Sequence, residues 1–150
     1  RARKYAVVEL LAPIGVLIAP TALVGAFAHT PLSNAQVGAT ALGAVLLGLV
    51  LLLCVIRDQP LDERRGWLTT AVRLGRPGAR VLAWVWIVAA VLLSAMGAGW
   101  GWWSWLVSAA VALAAPVSAA AFARGGYERA IAVWTLALWV AGVVFFLRAV

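Results

Sequence analysis

The sequence predicts an all-α integral membrane protein: a bundle of five transmembrane helices, N-terminus in the cytoplasm and C-terminus outside. A short amphipathic cytoplasmic helix is expected between spans two and three. Three observations carry this. The chain is 65% hydrophobic and 11% charged, with a mean hydropathy of +1.02, whereas a soluble domain is about 45–50% apolar and about 25% charged. Its apolar residues fall into five runs, each near the length of about 20 residues that a helix needs to cross hydrocarbon. Finally, the basic residues gather at alternate ends of those runs. All 150 residues (1–150) read as a single transmembrane domain.

The first run covers about Tyr5 to Ala28. It is too long for a signal-peptide core and has no evident cleavage site after it, so a retained span is expected. The second run covers about residues 37–56, after the polar stretch HTPLSNAQ. The third, fourth and fifth cover about 81–98, 103–123 and 130–147. None shows the apolar–polar alternation of an outer-membrane barrel strand. Helices satisfy their own backbone hydrogen bonds, which lipid does not do for them.

Orientation follows from the arginines. Arg1, Arg3 and Lys4 precede the first run; Arg57, Arg64, Arg65, Arg73, Arg76 and Arg80 lie between the second and third; Arg124 and Arg129 lie between the fourth and fifth. Of the 12 basic residues only Arg148 falls on the opposite side. Cytoplasmic loops collect Lys and Arg, so the N-terminus is placed inside. The net charge of +7 and pI near 11.4 are thereby a topological signature. Nucleic acid is not an expected partner, because the charges do not cluster on a folded, water-facing domain.

The polar segment 57–80 is expected to hold the amphipathic helix. Pro60 suits a first turn, and Leu61, Trp67, Leu68, Ala71, Val72 and Leu74 share an apolar face. Asp62, Arg65, Thr69, Arg73 and Arg76 share the other. Such a helix lies on the cytoplasmic leaflet, with Arg65, Arg73 and Arg76 as contacts to anionic lipid or to a partner. Gly66 weakens it. On the outer side GAGWGWWSW holds four of the nine tryptophans, Trp100, Trp102, Trp103 and Trp105. Their place between two spans assigns them to the aromatic belt at the lipid–water boundary, with Trp84 and Trp86 as the inner belt.

Small residues four apart, Ala39 with Gly43, Ala44 with Gly48, and Ser104, Ser108 and Ala112, permit close helix approach within the chain or to another subunit. Glu9 is the one acid inside a run. It shares a stripe with Pro13 and Pro20 and is the candidate for a proton or ion path; pairing with Arg1 or Lys4 near the interface is the structural alternative. Cys54 and His29 are each the single residue of their kind, so no disulfide framework, cysteine-based zinc cluster or haem site built within the chain is expected. No nucleotide loop or Ser–His–acid set can be assembled.

The resulting expectation is a non-catalytic accessory, assembly or stabilising subunit of a larger inner-membrane complex. It would have no cofactor, no metal and no enzymatic activity, and its partners would be other membrane subunits or copies of itself. The alternative is a small oligomeric transporter or channel with Glu9 on the path. The excess of arginine over lysine, with abundant alanine, points to a GC-rich bacterial genome and hence a bacterial plasma membrane.

Overall fold

The structure, a computed structural model, describes Gly15, residues 33–96 and residues 102–149, the side chains of 102, 103 and 145–149 excepted. The described residues form four helices: α1 (Asn34–Arg64), α2 (Thr70–Met96), α3 (Trp102–Arg124) and α4 (Tyr127–Ala149). All four are long and apolar enough to cross a membrane. They take up the expected spans at 37–56, 81–98, 103–123 and 130–147. The expected span at 5–28, with Glu9, lies outside the described residues, as does Trp100.

α1 opens on a capping box. The Gln36 N–H donates to Ser33 Oγ at 3.2 Å, and the Ser33 N–H donates to Gln36 Oε1 at 2.8 Å. Two of the orphan donors at the helix start are thereby satisfied reciprocally. The helix then outruns its apolar stretch, passing through Pro60 to Arg64.

It stops at Gly66, which adopts φ +67. The Gly66 N–H donates to the Glu63 carbonyl at 3.2 Å and the Trp67 N–H to the Asp62 carbonyl at 2.9 Å, the paired bonds of a Schellman cap. This corrects the continuous amphipathic helix expected between spans two and three. Residues 61–64 are the last turn of α1, 65–69 are a turn, and helix resumes only at Thr70. A second break follows at Gly75 (φ 65, ψ 168). Glycine reaches these conformations at little steric cost, so the two glycines decide where helix can exist. Pro77 then lies in the first turn of the resumed helix, where its missing N–H costs least.

α3 ends with the same device. Gly125 has φ +75, the Gly126 N–H donates to the Ala121 carbonyl at 2.9 Å, and α4 begins at once at Tyr127.

Each helix packs against its sequence neighbour, and α1 also packs on α4, closing a four-membered ring in which the α2–α3 side is the least extensive. Contacts fix the directions. Trp86 meets Gly48, Ser108 meets Ser94, and Trp134 meets Ser118, each pair lying on either side of the segment that joins its two helices, so sequential helices are antiparallel.

The buried residues of α1 include Leu42, Leu46, Leu49, Leu53 and Ile56. Those of α3 include Val107, Val111, Ala114, Ser118 and Ala121, and those of α4 Ala130, Trp134, Ala137, Ala141 and Val144. All three series step alternately by four and three, the spacing that keeps one seam of a helix facing its neighbours. α2 contributes Ala79, Ala83, Ile87, Ala90 and Ser94. Small side chains thus line the interior of α2, much of α3 and most of α4. Large ones such as Val85, Leu92, Leu113, Leu136 and Trp139 point outward. Lipid supplies no hydrophobic drive for burying large residues, so close backbone approach governs packing instead.

Candidate functional site: the charged end of the bundle

The antiparallel order brings the end of α1, the start of α2, the end of α3 and the start of α4 to one end of the bundle. Arg57, Arg64, Arg65, Arg73, Arg76, Arg80, Arg124 and Arg129 all gather there, with Asp58, Asp62, Glu63 and Glu128. At the other end, among the described residues, Arg148 is the only charged one.

Inside the bundle, polar side chains serve helix packing. Ser94 Oγ donates to the Val91 carbonyl at 2.9 Å, and Ser108 Oγ donates to the Ser94 carbonyl at 3.0 Å, joining α3 to α2. Ser118 Oγ donates to the Ala114 carbonyl at 2.9 Å and accepts from Nε1 of the fully buried Trp134 at 2.6 Å. Of the small-residue rows, Ala44–Gly48 is absorbed likewise, whereas Ala112 of the Ser104–Ser108–Ala112 row is exposed. Ala44 and Gly48 are buried, and a Cβ built on Gly48 would overlap the Trp86 ring. Trp86 is therefore a packing residue between α1 and α2. Among the described residues no three His, Cys, Asp or Glu side chains gather as a metal centre would require.

At the charged end the side chains are less settled. Arg57 and Asp58 form a two-point ion pair (Nε–Oδ1 2.8 Å, Nη2–Oδ2 3.1 Å) with both side chains nearly half exposed. Such a pair contributes only about 0–1 kcal/mol. Gln59 is buried and its Nε2 donates to Glu63 Oε1 at 2.7 Å, while Gln59 Oε1 and Thr69 Oγ1 are buried without a hydrogen-bond partner. The Arg65 guanidinium sits 5.2 Å from the centre of the Trp67 ring, a cation–π contact.

Four apolar side chains stand exposed around it: Leu61 at 51%, Trp67 at 53%, Leu68 at 41% and Leu74 at 47%. The α1–α2 hairpin also projects. Residues 57–64 carry α1 about 12 Å past its apolar run, whereas α3 turns back within two glycines of Arg124.

The residues singled out from sequence are thus dispersed. Arg65 covers Trp67; Arg73 and Arg76 are exposed on either side of the Gly75 break. Trp105 is exposed at the opposite end of the bundle. Trp102 and Trp103 begin α3, their side chains outside the described set.

Sequence reasoning missed a second grouping. Arg80 Nε donates to the Tyr127 hydroxyl at 3.1 Å. Tyr127 lies against Phe122 with ring centres 5.8 Å apart, and Phe122 meets Trp84 edge-on at 5.7 Å. The partners are 47 residues apart. The only local signals were an arginine one turn before a tryptophan at the entry to a span, and a tyrosine directly after Gly-Gly.

These features define an all-helical, multi-pass membrane protein whose described helices have one charged and one largely apolar end. Compared with known protein families, curated proteins and solved structures, the chain matches none.

Proposed function

We propose that this chain is a non-catalytic subunit of a larger complex in a bacterial plasma membrane, docking a protein partner through the tip of the α1–α2 hairpin. Residues 5–28 supply the first of five spans, and the charged end faces the cytoplasm. The observation that carries this reading is the exposed set Leu61, Trp67, Leu68 and Leu74 on a projecting tip ringed by Arg64, Arg65, Arg73 and Arg76.

The headgroup layer adds only about 5–7 Å beyond the hydrocarbon on each side. A tip reaching about 12 Å holds Trp67 and Leu68 in water, where apolar exposure is unfavourable. Trp and Arg are also the residues that dominate binding energy when an interface covers them. A partner surface of matching chemistry carries carboxylates around an apolar recess. The interior serines and Trp134 support the non-catalytic part of the reading, since their polar groups are engaged in holding helices together.

Purification from native membranes in mild detergent tests it: other chains co-elute at fixed ratio. A chain that purifies alone and gives uptake or conductance in liposomes contradicts the reading and supports a transporter. Orientation is checked separately. A reporter active only in the cytoplasm works when inserted in the 65–69 turn or after Arg124, and fails after Val150; cytoplasmic activity there removes the five-span arrangement.

A further inference from the structure

Arg80 is the last basic residue before the apolar run of α2. The contact of Trp86 with Gly48 sets the register of the antiparallel α1–α2 pair and puts Arg80 level with Cys54. That is three residues, about 4.5 Å, to the membrane side of Arg57. Arg80 is half-buried there, and its one described hydrogen bond goes to a neutral phenol. Of the nearby acids, Asp58 pairs with Arg57, and Glu128 is exposed on α4 with no described ion pair to Arg80. A guanidinium carries five N–H donors, and a cation held at this depth needs an anion.

We propose that Arg80, with Arg124 and Tyr127, forms a binding site for the phosphate of an anionic phospholipid in the charged-end leaflet. Arg124 ends α3 in the same corner, three residues from Tyr127, and is exposed. The aromatic run Trp84–Phe122–Tyr127 ties α2, α3 and the start of α4 together beneath it. Guanidinium groups grip phosphate oxygens in two-point fashion. The Tyr127 hydroxyl accepts from Arg80 and keeps its own proton to donate. Directly toward the membrane, Val81 and Val85 are exposed beside Trp84, an apolar strip along which an acyl chain lies. The site belongs to this chain alone and does not depend on the accessory-subunit reading.

The test uses the purified full chain in neutral detergent with dioleoyl phosphatidylglycerol or dioleoyl phosphatidylcholine at equal mole fraction, counting retained lipids by native mass spectrometry. A third arm supplies inorganic phosphate at millimolar concentration. Wild type is expected to retain phosphatidylglycerol at least about 5-fold over phosphatidylcholine, because each well-placed basic residue attracts anionic lipid. Arg80→Gln brings the ratio near unity, and Arg129→Gln, an exposed charge at the same end, leaves it within about 2-fold, as for a diffuse surface charge. Should Arg80→Gln fail to fold, Arg80→Lys keeps the charge and still lowers the ratio at least about 3-fold, since lysine lacks the planar fork. The proposal is overturned if wild type shows no preference, if Arg129→Gln loses as much as Arg80→Gln, or if Arg80→Lys retains the full ratio. Displacement of the lipid by inorganic phosphate assigns the site to free phosphate and overturns the lipid.

Discussion

The two hairpins of this bundle use one device to different ends. Both α1 and α3 are terminated by a glycine at positive φ, Gly66 and Gly125, with the following N–H bonded back to a carbonyl of the last turn. In α3–α4 the turn comes immediately after Arg124, Tyr127 starts the next helix, and the charges lie at one level. In α1–α2 the helix continues through Pro60 to Arg64 before its glycine, and a second glycine break at Gly75 delays the return. The added turns bury Asp62, Thr70 and Ala71 and leave Leu61, Trp67, Leu68 and Leu74 outside. Where the glycine sits relative to the last apolar residue decides whether a hairpin ends flush or becomes a projecting surface.

The interiors of the hairpins differ too, and substitutions break the comparison in a definite order. α3–α4 centres on a large buried ring, so Trp134→Ala has the largest expected effect, a loss of about 3–5 kcal/mol. It is read from thermal unfolding in detergent micelles, and a loss below about 1 kcal/mol would show that the ring is not the keystone of that hairpin. α1–α2 instead depends on the absence of a side chain. Gly48→Ala forces its methyl into the Trp86 ring and costs about 1–3 kcal/mol; a Gly48→Ala, Trp86→Leu double variant recovers part of that if the clash is the cause. Ser118→Ala removes the acceptor of the Trp134 N–H across α3–α4. It is expected to cost about 1 kcal/mol, in the range of interhelical hydrogen bonds within membranes. A serine variant that unfolds as readily as Gly48→Ala would reverse the ranking of hydrogen bonding and close packing. At the tip, Trp67→Ala and Leu68→Ala shift the unfolding midpoint least, within about 0.5 kcal/mol, as for exposed positions.

The helices and the charged end could be read from sequence because each depends on composition over a long window. Twenty apolar residues followed by arginine state both a span and one of its boundaries. The amphipathic helix fails at two residues, Gly66 and Gly75. The sequence marks Gly66 as a weak point of the segment, but its positive φ converts a weak helix into a termination, and the hydrophobic pattern carries no dihedral angle.

The buried face of each helix was hidden for another reason. Apolar residues occupy both the buried and the lipid-facing sides, so hydrophobicity alone does not mark the core: α1 buries leucines, whereas α2 and α4 bury small residues such as Ala83, Ala90, Ala137 and Ala141 and turn Val85, Leu92, Leu136 and Trp139 outward. The rows Ala44–Gly48 and Ser104–Ser108 signalled close approach without saying to what; the structure turns Gly48 and Ser108 inward. Arg80 and Tyr127, far apart in sequence, meet only because the turns at Gly66 and Gly125 bring their helix ends to one level.

The most direct measurement compares wild type, Trp67→Ala/Leu68→Ala and Leu113→Ala, each solubilised from native membranes in mild detergent, quantifying co-eluting chains against the bait. Leu113 is exposed on the flank of α3 and far from the tip. The expected result is at least about a 5-fold loss of co-eluting chains for the tip variant, about 1 kcal/mol or more of binding energy as for an interface hot spot. Its unfolding midpoint stays at the wild-type value and Leu113→Ala keeps its partners. A tip variant that retains its co-eluting chains at the wild-type ratio would contradict docking through the α1–α2 hairpin.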